Sequence, residues 1–165
     1  MNIALACDHA GFEPHKELIT YLESLGYDMQ DYGPQNLDPD DDYPDFILPA
    51  ARAVSEGKCQ YGIILGGDGE GEAMVANKIK GIRCALVYGP AVAKRVVDAK
   101  GRVSHNHYEI AKLTRLHNNA NMLSLAARFM SLEEMKHVIK LWLQTPFGRE
   151  QRHIRRIEKI DELGS

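Results

Sequence analysis

The chain has one Trp, four Phe and three Cys in 165 residues, and it has no apolar run long enough to span a membrane. Each shortage closes a class of function. Cys7, Cys59 and Cys84 are odd in number, widely spaced and set in apolar or strand-like sequence, so they read as buried thiols and not as a disulfide framework. His105 and His107 stand two residues apart with no Cys nearby, and no metal site is expected. Aromatic residues are 7% of the chain, too few for a surface that stacks bases, and a net charge of -3 argues against nucleic acid as a partner. A P-loop Lys-Ser/Thr pair is lacking, as is an acidic residue clearly placed for a ribose, which counts against a nucleotide-binding module. The opening residues Met1-Asn2-Ile3-Ala4-Leu5-Ala6 are strand-like with no basic-then-apolar leader, so a cytoplasmic protein without membrane contact is expected.

What is present suits one compact domain over residues 1–165, with 44% hydrophobic residues to fill its core. The charge is unevenly spread. Residues 1–80 hold 15 acids against 5 Lys and Arg, and residues 81–165 hold 8 acids against 15, so the halves are complementary and a small anionic substrate fits better than a polyanion. Strand-like runs at 2–7, 28–32, 61–65, 83–87 and 121–124 alternate with amphipathic helix-like runs at 12–25, 44–56, 71–78, 91–99, 108–116, 132–143 and 151–161. This alternation predicts an α/β fold, a parallel sheet covered by helices on both faces. Ligands in such sheets bind beyond the carboxyl ends of the strands.

The most informative segment follows the third predicted strand. Gly66-Gly67-Asp68-Gly69-Glu70-Gly71-Glu72 places four glycines in six positions ahead of a helix, so backbone amides are able to converge on an anion or a developing oxyanion. A phosphate cradle avoids acids, whereas this loop carries three. A base working beside an oxyanion hole is the better reading, and Glu72, in the first helical turn, is expected to be held as the anion by the helix dipole. Asp68 fits an N-cap and Glu70 a solvent-facing acid by the same spacing. Asp8 and His9 end the first strand, where an imidazole beside a carboxylate keeps a defined tautomer. His117-Asn118-Asn119-Ala120-Asn121 supplies either a proton-shuttling His or an Asn-rich turn. Arg152 and Arg156 stand one helical turn apart, spaced to clamp a phosphate or to form a solvated basic face, and Arg128, beyond the last strand, is a third cation of the same kind.

Six motifs run in order along nearly the whole chain: Cys7-Asp8-His9-Ala10-Gly11, Asp42-Tyr43-Pro44, Gly67-x-Gly69-x-Gly71 leading to Ala76-Asn77-Lys78, Gly81-Ile82-Arg83, His117-Asn118-Asn119-Ala120-Asn121 and Arg152-His153-x-x-Arg156. Together they resemble the sugar-phosphate isomerases of the type B ribose-5-phosphate isomerase and galactose-6-phosphate isomerase group. The resemblance implies a Rossmann-like three-layer sandwich with a five-stranded parallel sheet and an extended C-terminal helix. It also implies a homodimer, or a dimer of dimers, with active sites built from two subunits, and cofactor-free and metal-free aldose–ketose isomerisation through an enediolate. Ribose 5-phosphate, of the pentose phosphate pathway, is the family default, with allose, galactose or tetrose phosphates, or sugar-phosphate binding without catalysis, as alternatives.

Residue by residue, the resemblance implies that His117 opens the sugar ring and that His9, Arg128, Arg152 and Arg156 bind the phosphate. Asp8, Tyr43 and Asn118 contact the sugar, and the backbone from Gly67 through Gly69 and Glu70 to Gly71 forms the anion hole. Many members carry a catalytic Cys just before the glycine loop, where this chain has Gly66. A second branch uses a Glu a few residues later, where this chain has Glu72. Asp68 stands where the family usually has a Ser or Thr that contributes a hydroxyl to the hole, and as a carboxylate it must be protonated or turned away from an enediolate. The segment from Gly89 to His107 reads as a lengthened connection.

Overall fold

A computed structural model describes residues 1–163. Five strands, β1 (Asn2–Cys7), β2 (Asp28–Asp31), β3 (Tyr61–Gly66), β4 (Cys84–Val87) and β5 (Met122–Ala126), form one sheet in the order β2-β1-β3-β5-β4. All four pairings are parallel. Six α-helices accompany them: α1 (Phe12–Ser24), α2 (Pro44–Ser55), α3 (Glu70–Ala76), α4 (Glu109–Asn118), α5 (Leu132–Leu143) and α6 (Gln151–Glu162). A 3-10 turn at His9–Gly11 leads from β1 into α1.

Alternation along the strands builds the three layers. Ile3, Leu5 and Cys7 of β1, with Ile63 and Leu65 of β3 and Leu123 and Leu125 of β5, face a cluster with Leu18 and Leu22 of α1 and Val138, Ile139 and Trp142 of α5. Ala4 and Ala6, Ile64 and Met122 face the other side, against Ile47, Ala50, Ala51 and Val54 of α2 and Ala76 of α3. Successive strand side chains point to opposite faces, so a strand that is apolar at every position must be covered twice.

The expected elements form within two residues of their predicted bounds, with one correction. The run at 91–99 is not helical. Pro90 precedes it, and Val92 and Val96 lie 36% and 56% exposed, so a helix there would have no apolar face to bury. Asp98 instead folds the chain locally, its side chain accepting the Lys100 and Arg102 amides at 2.9 and 3.1 Å. Arg102 then pairs at 2.7 Å with the buried Glu109 at the start of α4. The connection from Tyr88 to His107 is therefore a pinned irregular loop.

At the amino end of the sheet, buried Arg115 of α4 ties the layers together. Its guanidinium donates to the Thr145 carbonyl at 3.2 Å, the Tyr61 hydroxyl at 2.8 Å and the Ala120 carbonyl. Arg115→Met keeps most of the packing volume but strands those buried acceptors, and it is expected to lower stability by about 2–4 kcal/mol in urea melts with an unchanged m-value.

Candidate active site

Strand order reverses between β1 and β3, so their connections leave the sheet on opposite sides and open a crevice at the carboxyl ends. A cavity of about 300 Å³ lies there, lined by Asp8, His9, Tyr43, Gly67, Asp68, Gly71, Glu72 and Arg128, with Ala10. Eight of the residues singled out in the sequence thus meet at one place, brought from three strand ends and from the entry to α2.

Glu72 is 3% exposed. A side chain at Gly66 would overlap its carboxyl group, so the space beside Gly66 is filled by the Glu72 carboxylate. Gly69 adopts a φ of 76°, which allows the sharp turn into α3, and its carbonyl is held by Ser124 of β5 at 2.7 Å. A side chain at Gly67 would stand 3.2 Å from the Arg128 guanidinium, and one at Gly71 would stand 2.8 Å from the Tyr43 ring, so bare backbone lines the wall between that cation and that phenol.

Glu72 corrects one expectation. The helix dipole does not dominate: burial pushes the carboxyl above its ordinary value of 4.5, and Asp8 and Asp68 add to the shift while its own backbone amide and His9 oppose it. A carboxylate raised in this way is a stronger base once ionised. Burial likewise raises Asp8, against the Gly11 and Ala10 amides and His9. Asp8 caps the 3-10 turn through those amides, at 3.2 and 2.9 Å.

Asp68 is exposed, and its carboxylate accepts the Glu70 amide at 3.0 Å. It is turned onto the start of α3, which accounts for a carboxylate at this position. Glu70 is a correction: it bonds the Tyr88 hydroxyl and does not line the cavity, so it fastens the 88–107 loop to α3 instead of contacting a ligand. Several motif asparagines are pins. Asn77 bridges to Cys84 in both directions, at 3.0 and 2.8 Å, Asn121 does the same between Arg83 and Gly81, and Asn119, at φ 45°, ends α4.

Asp8, His9 and Asp41 each bring a potential ligand atom within 4.8 Å of one another, the one such grouping among the described residues. Internal bonds already engage it, since Asp8 holds two amides and the His9 ring bonds Asp41. Asp41 is the residue that sequence reasoning missed, because an acid among Asp38, Asp40 and Asp42 carries no local mark.

His117, Asn118, Arg152 and Arg156 lie elsewhere. α4 runs back from the carboxyl side and ends beside the start of β5, so these residues sit at the amino end of the sheet, roughly 16 Å of strand from Glu72. There His117 stacks on His153 at 4.4 Å, and His153 Nδ1 meets the His117 carbonyl at 3.1 Å. Burial, then His153 and Arg152, lower the His117 pKa and favour the neutral imidazole. Arg152 pairs with Glu150 at 2.6 Å and bonds His153 at 3.1 Å, while Arg156, one turn on, is exposed. One chain therefore places the two groups of candidate residues at opposite ends of its sheet.

A model of the family described as Ribose/Galactose Isomerase matches residues 3–102 and 99–160. The ribose-5-phosphate isomerase B of Mycolicibacterium paratuberculosis is 35% identical over 162 residues, covering 98% of this chain and 91% of that protein. The solved ribose-5-phosphate isomerase B of Clostridium thermocellum superposes with a TM-score of 0.84 at 32% identity, over 99% of this chain and 97% of its own. That of Mycoplasma genitalium, with bound ribulose-5-phosphate, gives 0.84 at 34% identity, over 98% and 95%.

Because the folded pKa of Glu72 is raised, the native state binds a proton more tightly than the unfolded chain, and stability falls as pH rises from the ordinary glutamate value through the native one. Glu72→Gln removes this loss. Its melting temperature is expected to exceed that of the parent at neutral pH and to converge on it below the ordinary glutamate value, measured by thermal melts across pH.

Proposed function

Because this chain belongs to the ribose/galactose isomerase family, we propose that it interconverts a phosphorylated aldose and its ketose, with ribose 5-phosphate and ribulose 5-phosphate as the pair. The observation that carries this reading is the buried Glu72 carboxylate facing the cavity across the space kept open by Gly66. The protein similar in fold that holds ribulose-5-phosphate supports the choice of substrate. In this reading the enzyme works in the cytoplasm, where phosphorylated sugars are made and consumed.

Glu72 removes the proton from C2 of the open-chain aldose, and the C1 carbonyl oxygen takes the negative charge as an enediolate forms. The protonated Glu72 then delivers that proton to C1, while the C2 hydroxyl proton passes to O1 and C2 becomes the carbonyl. A carbon acid of this kind is weak, so the oxyanion must be stabilised, and one well-aimed donor supplies about 3 kcal/mol. The loop amides between Gly67 and Gly71 provide the donors in this scheme, apart from that of Glu70, which Asp68 already engages. Arg128 and His9 bind the phosphate, and fixing the sugar at its phosphate lets one carboxylate reach both carbons.

His117 opens the sugar ring and Arg152 and Arg156 complete the phosphate clamp, with Asn118 on the sugar. Their position at the far end of the sheet supports a second copy as their donor, each site pairing the carboxyl end of one chain with the amino end of another. The neutral imidazole favoured at His117 suits proton shuttling at the ring oxygen.

Glu72→Gln is expected to abolish solvent deuterium exchange at C2 of ribose 5-phosphate while leaving binding of the sugar phosphate largely intact. Gly66→Ala is expected to cost roughly a hundredfold in kcat by displacing the carboxylate. Near-normal exchange in Glu72→Gln would remove Glu72 from the mechanism. Two inactive variants test the shared site: Glu72→Gln mixed and reassembled with His117→Asn should recover activity in the hybrid, because one of its two sites has both native halves. No recovery would place each site within one chain.

A further inference from the structure

His9 is held by a partner that the proposed chemistry does not use. Its ring Nδ1 lies 2.7 Å from Asp41 Oδ1, whereas the neighbouring Asp8 carboxylate is 3.8 Å away. The Asp41 side chain is only 6% exposed against 30% for His9, and its second oxygen is buried without a hydrogen-bond partner. A carboxylate withdrawn from water with one oxygen unsatisfied is tolerated as an anion beside a cation, and the imidazole is the group placed to be that cation.

We propose that Asp41 is a positioning residue for substrate binding: its carboxylate accepts Nδ1–H of the His9 imidazolium, fixes the ring, and so keeps Nε2–H as the donor offered to the phosphate of the sugar. This inference rests on reading the cavity as a sugar-phosphate site. Both ring nitrogens carry hydrogen only in the imidazolium, the form that a buried carboxylate with one unsatisfied oxygen stabilises beside it. The charged groups that share the cavity with His9 or pair with it are Asp8 at the end of β1, Asp41 before α2, Asp68 of the glycine loop, Glu72 of α3 and Arg128 beyond β5, with the Tyr43 phenol beside them. The hydrogen bond that His9 donates to Asp41 does most to raise the His9 pKa, Asp8 assists, and burial and Arg128 oppose. His9 therefore keeps its positive charge to a higher pH than an ordinary histidine, which favours the imidazolium beside Arg128 as a partner for an anionic sugar phosphate.

Asp41→Asn keeps an acceptor oxygen and removes the charge. Three readouts decide the proposal. The NMR titration of the His9 ring, recorded without substrate from about pH 6 to about pH 9, should move to lower pH in the variant. KM for ribose 5-phosphate should rise roughly tenfold at neutral pH with kcat within about twofold, the loss of one charge-assisted hydrogen bond. Asp41→Asn combined with His9→Gln should bind no worse than His9→Gln alone, because Asp41 acts only through that ring.

An unchanged His9 titration, or multiplicative effects in the double variant, would overturn the proposal. So would a lowered melting temperature with no change in KM, the mark of a merely structural acid. The titration also separates this proposal from the isomerase reading. If no aldose phosphate is turned over, inorganic phosphate serves as the probe: its perturbation of the His9 signals should be weaker in Asp41→Asn if the pair works as proposed, and equal if it does not.

Discussion

A parallel sheet whose order reverses between β1 and β3 must send the two following connections to opposite faces, and nothing in the fold can then close the gap above the two strand ends. The site follows from that gap. Asp8 and His9 arrive from β1, the glycine loop and Glu72 from β3, Arg128 from just past β5, and Tyr43 and Asp41 from the long connection after β2. The largely apolar strands that make the crevice possible are covered on both faces, which withdraws their carboxyl ends from water. Burial then sets the behaviour of Glu72 and Asp8, raising both carboxyls.

Within the crevice, acids outnumber bases, and the arrangement is tolerable because each acid has a different settlement. Asp8 is spent on two amides of the 3-10 turn, Asp68 on the amide that starts α3, and Asp41 on the His9 ring. Glu72 alone faces the cavity with its burial cost uncompensated by a cation in direct contact, which is the condition a general base needs. The absence of a side chain at Gly66 is part of that condition, since the carboxylate occupies the volume such a side chain would need.

The other end of the sheet holds a second set of groups that a single chain keeps apart from the first. Arg115, Asn119 and Asn121 fix the turn between α4 and β5, and the stack of His117 on His153 fixes α6 to α4. These contacts leave Arg156 exposed and His117 part-exposed, and they show that Asn119 and Asn121 of the polar motif His117-Asn118-Asn119-Ala120-Asn121 are structural.

The order of the elements, the parallel sheet and the place of the glycine loop were legible because periodicity is local: a strand apolar at every position and a helix apolar on one face announce themselves within ten residues. That Glu72 would stand beside the glycine loop was legible for a similar reason, by its distance from Gly66 and the four glycines. The run at 91–99 had helical spacing but needed an apolar surface to bury Val92 and Val96, and only the packed molecule decides that none is there. Asp41 could not be told from Asp40 or Asp42 until folding brought one of the three onto His9, 32 residues away. The direction of the Glu72 pKa depended on burial outweighing a dipole, and the separation of His117 from Glu72 depended on which way α4 runs along the sheet. Residue types and spacings are properties of the chain, whereas burial, charge neighbours and distance arise only when remote segments meet.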